Sequence, residues 1–184
     1  MMKDINKIKM IISDVDGVWT DGSIYKGHSS TADIELKKFS VTDGAAVALI
    51  REAGLKLALI SGRKSSATES RASELKIKDV YNGTLNKIPP YEELKTKYAL
   101  CDEEIAYVGD DLIDIPIMEK VAFPIATNNA SASCKKAATY ITKKNGGDGA
   151  FREAVEWILN EQGRLDSVIK SLQKKVKNQQ WEQF

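Results

Sequence analysis

Asp14 and Asp16 stand one residue apart, just after the apolar run Ile8-Lys9-Met10-Ile11-Ile12-Ser13 and just before Gly17. Two carboxylates held this close repel, and a bound divalent cation is the usual way to offset the repulsion. Ligands that are all hard oxygens favour magnesium. Gly17 lets the chain turn so that both carboxylates reach one pocket. One then attacks phosphorus as a nucleophile, and the other handles the proton of the leaving group. A DxD pair alone also arises from surface acids and helix caps, so the remaining residues must decide.

They supply three further groups. Gly109-Asp110-Asp111-Leu112-Ile113-Asp114 follows the apolar run 105–108. Asp110 is placed to complete a metal site, while Asp111 and Asp114 suit orienting ligands, water or a lysine. Helix capping is the alternative for Asp111, with Asp114 in the first turn. Ser61-Gly62-Arg63 ends another run; its hydroxyl and amides suit a phosphate, or form an ordinary turn. Lys87, after Asn82-Gly83, would neutralise a phosphoryl group and its nucleophile, or be a plain surface lysine.

These residues need elements to position them. Apolar runs at 8–13, 55–60, 80–81, 105–108 and 121–126 alternate with helical stretches at about 44–53, 65–75, 90–98 and 112–120. That alternation predicts an α/β, Rossmann-like parallel sheet flanked by helices. Ligands bind past the carboxyl ends of such strands, so Asp14, Ser61 and Asp110 are expected to converge. Residues 20–40 break the alternation and read as an inserted β-hairpin after the first strand. A helix is expected at about 150–159, then a polar helix or tail at 164–184 that carries Trp181 and Phe184. The division expected is one domain, 1–162 including the hairpin, and a C-terminal helix or tail, 163–184.

The 184 residues hold 27 Lys and Arg against 26 Asp and Glu, for a net charge of +1. That balance argues against nucleic acid as a partner. No apolar run approaches the ~20 residues of a membrane span. Cys101 and Cys134 lack CxxC spacing, and the start of the chain is polar with mixed charge, so a cytoplasmic protein with free thiols is expected.

The four groups, in this order, resemble the motifs of the haloacid dehalogenase superfamily of phosphatases. Within it the chain is similar to the 3-deoxy-D-manno-octulosonate 8-phosphate phosphatases. The likeness is carried by DVDGVWTDG, KFSVTDGAAVALI, SGRKSSATESRASELKI, VYNGTLNKI, YVGDDLIDIPIM and YITKKNGGDGAFREAVEWIL, and it spans nearly the whole chain. The resemblance implies that Asp14 is the nucleophile that forms an aspartyl-phosphate and that Asp16 is the general acid and base. It implies magnesium on the Asp14 carboxylate, the Asp16 carbonyl and Asp110, with Asp111 and Asp114 in support. Ser61, Gly62 and Lys87 would hold the phosphoryl group, and Thr20, Arg63 and Arg71 would contact phosphate or the acidic sugar. It further implies a capless fold and a homotetramer in which the hairpin packs on a neighbour and a partner subunit covers each site. Trp19 stands where the family usually has Leu, and Thr42 replaces a usual arginine.

Three other readings compete. A signalling receiver domain carries its acidic pair on the first strand and its phosphoacceptor about two strands later, the reverse of the order here. A non-catalytic assembly module would have lost a nucleophile or ligand, and none is missing. A phosphatase of nine-carbon sialic-type 9-phosphates tends to carry Glu after Ser-Gly, where Arg63 stands here.

Overall fold

The computed structural model describes residues 4–31 and 33–178. In chain order the elements are β1 (Met10–Ser13), β2 (Tyr25–His28), β3 (Asp33–Leu36), α1 (Val41–Glu52), β4 (Lys56–Ser61), α2 (Ser66–Glu74), β5 (Asp79–Asn82) and α3 (Ile88–Tyr98). They continue with β6 (Ile105–Gly109), α4 (Ile115–Met118), β7 (Phe123–Ala126), α5 (Ala132–Ala137), β8 (Tyr140–Ile141), α6 (Ala150–Glu161) and α7 (Leu165–Lys177). Trp181 and Phe184 lie outside the described residues.

Six strands form one sheet in the order β5-β4-β1-β6-β7-β8, every pair parallel. With the hairpin set aside, this is the 3-2-1-4-5-6 order of a doubly wound sheet. A receiver domain has 2-1-3-4-5, so that reading falls. The topological switch point lies between β1 and β6, where Asp14 and Asp110 emerge.

Helices cover both faces, which is why β1 is buried throughout rather than alternating. Ile11 packs with residues of α1, α2, α6 and α7 on one side. Met10 and Ile12 pack with Tyr91, Leu94, Ile117 and Cys134 from α3, α4 and α5 on the other. The expected hairpin is β2–β3, antiparallel, with Tyr25 opposite Leu36. Its outward residues Tyr25, Ile34 and Leu36 are exposed.

Three elements differ from the sequence expectation. The stretch 112–120 is a 3-10 turn, Leu112–Asp114, followed by the four-residue α4, because the Asp114 side chain folds back to accept from the Asp110 and Asp111 amides. Helix α5 and strand β8 were not anticipated. Helix α7 docks on α1, with Val168 buried and Ser171 and Lys175 both bonded to Glu52. Among the described residues no helix is long and apolar enough to cross a membrane.

Candidate active site

Asp14 follows β1 directly, and its amide donates to Val108 O of β6 at 2.9 Å, which locks the loop onto the sheet edge. Its side chain is buried. Lys87 Nζ, just ahead of α3, lies 2.5 Å from Asp14 Oδ1, 2.7 Å from Asp114 Oδ1 and 3.2 Å from Tyr107 Oη. Tyr107 Oη in turn donates to Asp114 Oδ1 at 2.6 Å. The second Asp114 oxygen accepts from the Asp110 and Asp111 amides at 2.9 Å and 3.1 Å. Asp114 is therefore saturated, a brace between Lys87 and the strand end rather than an open ligand. Asp111 is exposed and contributes its main chain to this turn.

Carboxylate oxygens of Asp14, Asp110 and Asp114 all lie within 4.8 Å of one another. Burial raises the Asp14 carboxyl; Lys87 opposes that rise and Asp114 adds to it. Burial raises Asp110 as well, with the charges of Asp14 and Asp114 adding to it. Burial works to lower the Lys87 ammonium, but the Asp14 and Asp114 charges outweigh it and the group ends above its ordinary range. Two partly free carboxylates in mutual repulsion, beside a third already satisfied, are the donor set of a hard divalent cation. Gly17 preserves the space. Its φ is +90°, and a Cβ there would stand 2.1 Å from Asp110 Oδ2. Asp14 and Asp110 are thus the side chains fitted to hold the ion, with the Asp16 carbonyl the third group named by the resemblance.

Asp16 is not in this cluster. Both its oxygens are held by Lys37, at 2.7 Å and 2.8 Å, and Lys37 also donates to Thr68 Oγ1 at 3.3 Å. Ser61 is buried at the end of β4; its hydroxyl donates to Arg63 O at 3.0 Å and its carbonyl accepts from the Gly83 and Thr84 amides. Gly62 beside it is roofed by Leu85 and Ile113, which a Cβ would strike. Arg63 pairs with Glu35 of the hairpin.

Two residues expected at the substrate have their partners away from the aspartate cluster. Thr20 has no exposed surface, and its hydroxyl accepts from the Gly17 and Gly22 amides, so it shapes the Asp14 loop from within. Arg71 pairs with Glu74 at 2.8 Å and lies over Gly44 at the start of α1, with no bond among the described residues to the aspartate cluster. Conversely, sequence reasoning missed Lys37, Tyr107 and the support under Asp14. That support is Trp19, whose Nε1 donates to Ser13 Oγ at 3.0 Å, and Ser13, whose Oγ donates to Asp14 O at 2.6 Å. Lys37 carried one usable signal, its place two residues after Glu35, just past an exposed hairpin strand; Tyr107 sat unmarked in an apolar run.

A doubly wound sheet with an aspartate-lysine cluster at its switch point defines the haloacid dehalogenase-like hydrolases, and a family model of that description matches residues 72–153. The chain is 42% identical over 159 residues to the 3-deoxy-D-manno-octulosonate 8-phosphate phosphatase KdsC of Escherichia coli K12, covering 86% of this chain and 83% of that protein. A crystal structure of the Yersinia pestis enzyme of the same name superimposes with a TM-score of 0.83 at 38% identity, covering 88% and 86% of the two chains. The Moraxella catarrhalis enzyme, solved with magnesium, phosphate and KDO, gives 0.84 at 34% identity over 91% and 95%. The chain belongs to the family of 3-deoxy-D-manno-octulosonate 8-phosphate phosphatases.

Proposed function

We propose that this chain is a magnesium-dependent phosphatase that converts 3-deoxy-D-manno-octulosonate 8-phosphate to the free sugar acid and phosphate. The observation that carries the reading is the buried unit of Asp14, Lys87, Asp114 and Tyr107 beside Asp110 at the sheet's switch point. Magnesium, when bound by Asp14, Asp110 and the Asp16 carbonyl, neutralises charge on the nucleophile and the phosphoryl oxygens. The free Asp14 oxygen attacks phosphorus while the P–O bond to the sugar breaks, and Asp16 gives its proton to the departing sugar oxygen. Water then attacks the aspartyl-phosphate, returning a proton to Asp16 and freeing Asp14. Lys87 holds Asp14 in place for both attacks. The Ser61 hydroxyl and the Gly62 amide donate to the phosphoryl oxygens at the start of the loop to α2.

The acidic sugar is matched by Arg63, which Glu35 holds in the loop after β4. Assembly as a homotetramer is supported by the apolar outward face of the hairpin and by exposed Leu85, Leu112 and Ile113 around the mouth of the site. Both patches are of the kind a second copy covers. The free thiols Cys101 and Cys134 suit a reducing cytoplasm.

The test is kcat/KM for phosphate release from the octulosonate 8-phosphate, with magnesium and with chelator. Rapid release that chelator abolishes is the expected result. Slow release with fast turnover of a nine-carbon sugar-acid 9-phosphate would move the substrate assignment and keep the chemistry. Asp14→Asn should leave less than about a tenth of the activity; a larger remaining fraction would remove Asp14 from the nucleophile's role.

A further inference from the structure

Lys37 directly follows the hairpin strand β3, yet its side chain has no exposed surface and points into the catalytic loop. Its ammonium has three hydrogens and finds three acceptors, the two oxygens of Asp16 and Thr68 Oγ1. Burying a lysine costs rotamer freedom and hydration, and a buried ion pair is weak evidence of a stabilising purpose. The pair therefore calls for another explanation. Among the described residues no other side chain bonds the Asp16 carboxylate, which keeps about a quarter of its surface (26%) open to solvent.

The hairpin makes a second such contact. Glu35 lies two residues before Lys37, on the same face of the strand, and pairs with Arg63 in the loop after β4. The residues between and beside them, Ile34 and Leu36, point outward and are exposed. So the hairpin directs its charged face at the site and its apolar face away, the reverse of a strand packed for burial.

We propose that Lys37 is a positioning residue, fixing the Asp16 carboxyl group in the one orientation from which, in its protonated form, it serves the leaving oxygen. The hairpin is then part of the proton-transfer apparatus and not only a cover. This rests on the reading of Asp16 as acid and base, and the test separates the two.

The measurement compares kcat/KM for the octulosonate 8-phosphate with that for 4-nitrophenyl phosphate. A sugar alkoxide needs a proton to leave; a nitrophenolate does not. kcat/KM covers only the steps up to leaving-group departure. Lys37→Met should lower the ratio of the two values by about 30-fold, part of the roughly 10²–10⁴-fold that general acid catalysis contributes. Lys37→Arg should restore part of it. The ratio does not depend on how much enzyme is folded, so a loss of stability cannot imitate the effect; Lys37→Gln offers the same comparison with a donor retained. Asp16→Asn, run alongside, should show a larger fall in the ratio. If Asp16→Asn lowers both substrates equally, the reading of Asp16 fails. If Asp16→Asn is selective and Lys37→Met leaves the ratio within about 3-fold of the parent, Lys37 is only structural and the proposal is overturned.

Discussion

Lys87 Nζ lies 2.5 Å from Asp14 Oδ1 and 2.7 Å from Asp114 Oδ1, so a single ammonium ties the end of β1 to the turn after β6. All three groups are buried, and each carboxylate loses its countercharge if the lysine goes. Lys87→Met should therefore cost about 3–5 kcal/mol of stability, the usual effect of breaking a buried pair from one side. Turnover should fall by about 10²–10³-fold through loss of charge stabilisation at Asp14, the proposed nucleophile. Calorimetric melting and kcat under saturating substrate check both. A melting temperature lowered by less than about 2 °C would mean that the two carboxylates find another partner.

Protonation of the same cluster gives a pH dependence opposite to that of most carboxylates. Burial pushes Asp14 up to about 6, with Lys87 opposing. Burial and the Asp14 and Asp114 charges push Asp110 up to about 8. Both bind protons more tightly folded than unfolded, where the ordinary value is 3.8. In the metal-free protein their contribution to stability is thus fully present below 3.8 and lost as pH rises through about 6 and about 8. Glu104, held down at about 2 by Lys9 and the Cys101 amide, behaves the other way and loses its contribution only in acid. Magnesium, if held by Asp14 and Asp110 as proposed, competes with the protons on both. Its increment in melting temperature should therefore grow between about pH 6 and about pH 8, with proton release on binding. Titration calorimetry in two buffers of different ionisation heat measures that release, and none at about pH 6 would contradict the assignment.

The parts of this site that a reader of the sequence can find are those placed by the period of the chain. Asp14, Ser61 and Asp110 each end an apolar run, and a parallel sheet carries all three to one edge. Asp114 is legible as an acid but not as a brace, because its role depends on a side chain that folds back over its own turn. Lys37, Trp19 and Tyr107 were hidden for a different reason. Their partners are 21, 6 and 7 residues away and are set by how the hairpin, the loop and the turn pack, which no periodicity encodes. Helix α5 and strand β8 are too short, at six and two residues, to show a period at all.

Trp19 stands under Asp14 through Ser13 and stacks on Phe151 of α6, ring centroids 4.1 Å apart. Leucine fills part of the volume but donates nothing to Ser13 Oγ. Trp19→Leu should cost about 2–4 kcal/mol from lost packing and the unmet bond. Trp19→Phe, which keeps the ring contact, should cost less. Because Ser13 Oγ still has Asp14 O to donate to, kcat should change by less than about 10-fold. Urea unfolding with an unchanged m-value, together with kcat, tests this. A loss of turnover far beyond the loss of stability would give the indole a direct part in holding the nucleophile.

Helix α6, which carries Phe151, has no side-chain cap of its own. It begins after Gly149, whose φ is +95°, and its first amides would be unmet in the interior. Asp43 of α1 supplies the missing acceptors from across the fold. One oxygen accepts from the Gly149 amide at 3.1 Å and the other from the Arg152 amide at 3.0 Å. Burial raises the Asp43 carboxyl, and these amides oppose that rise. A carboxylate at a helix N-terminus is favoured by the dipole as well as by the bonds. Asp43→Ala leaves two buried donors without acceptors and should cost about 2–4 kcal/mol. Asp43→Asn keeps one acceptor oxygen and should cost about half as much. Urea unfolding of both variants separates the cases. An equal loss in both would mean that charge, not acceptor geometry, holds α6 in place. No loss in either would mean that α6 is held by its apolar face alone.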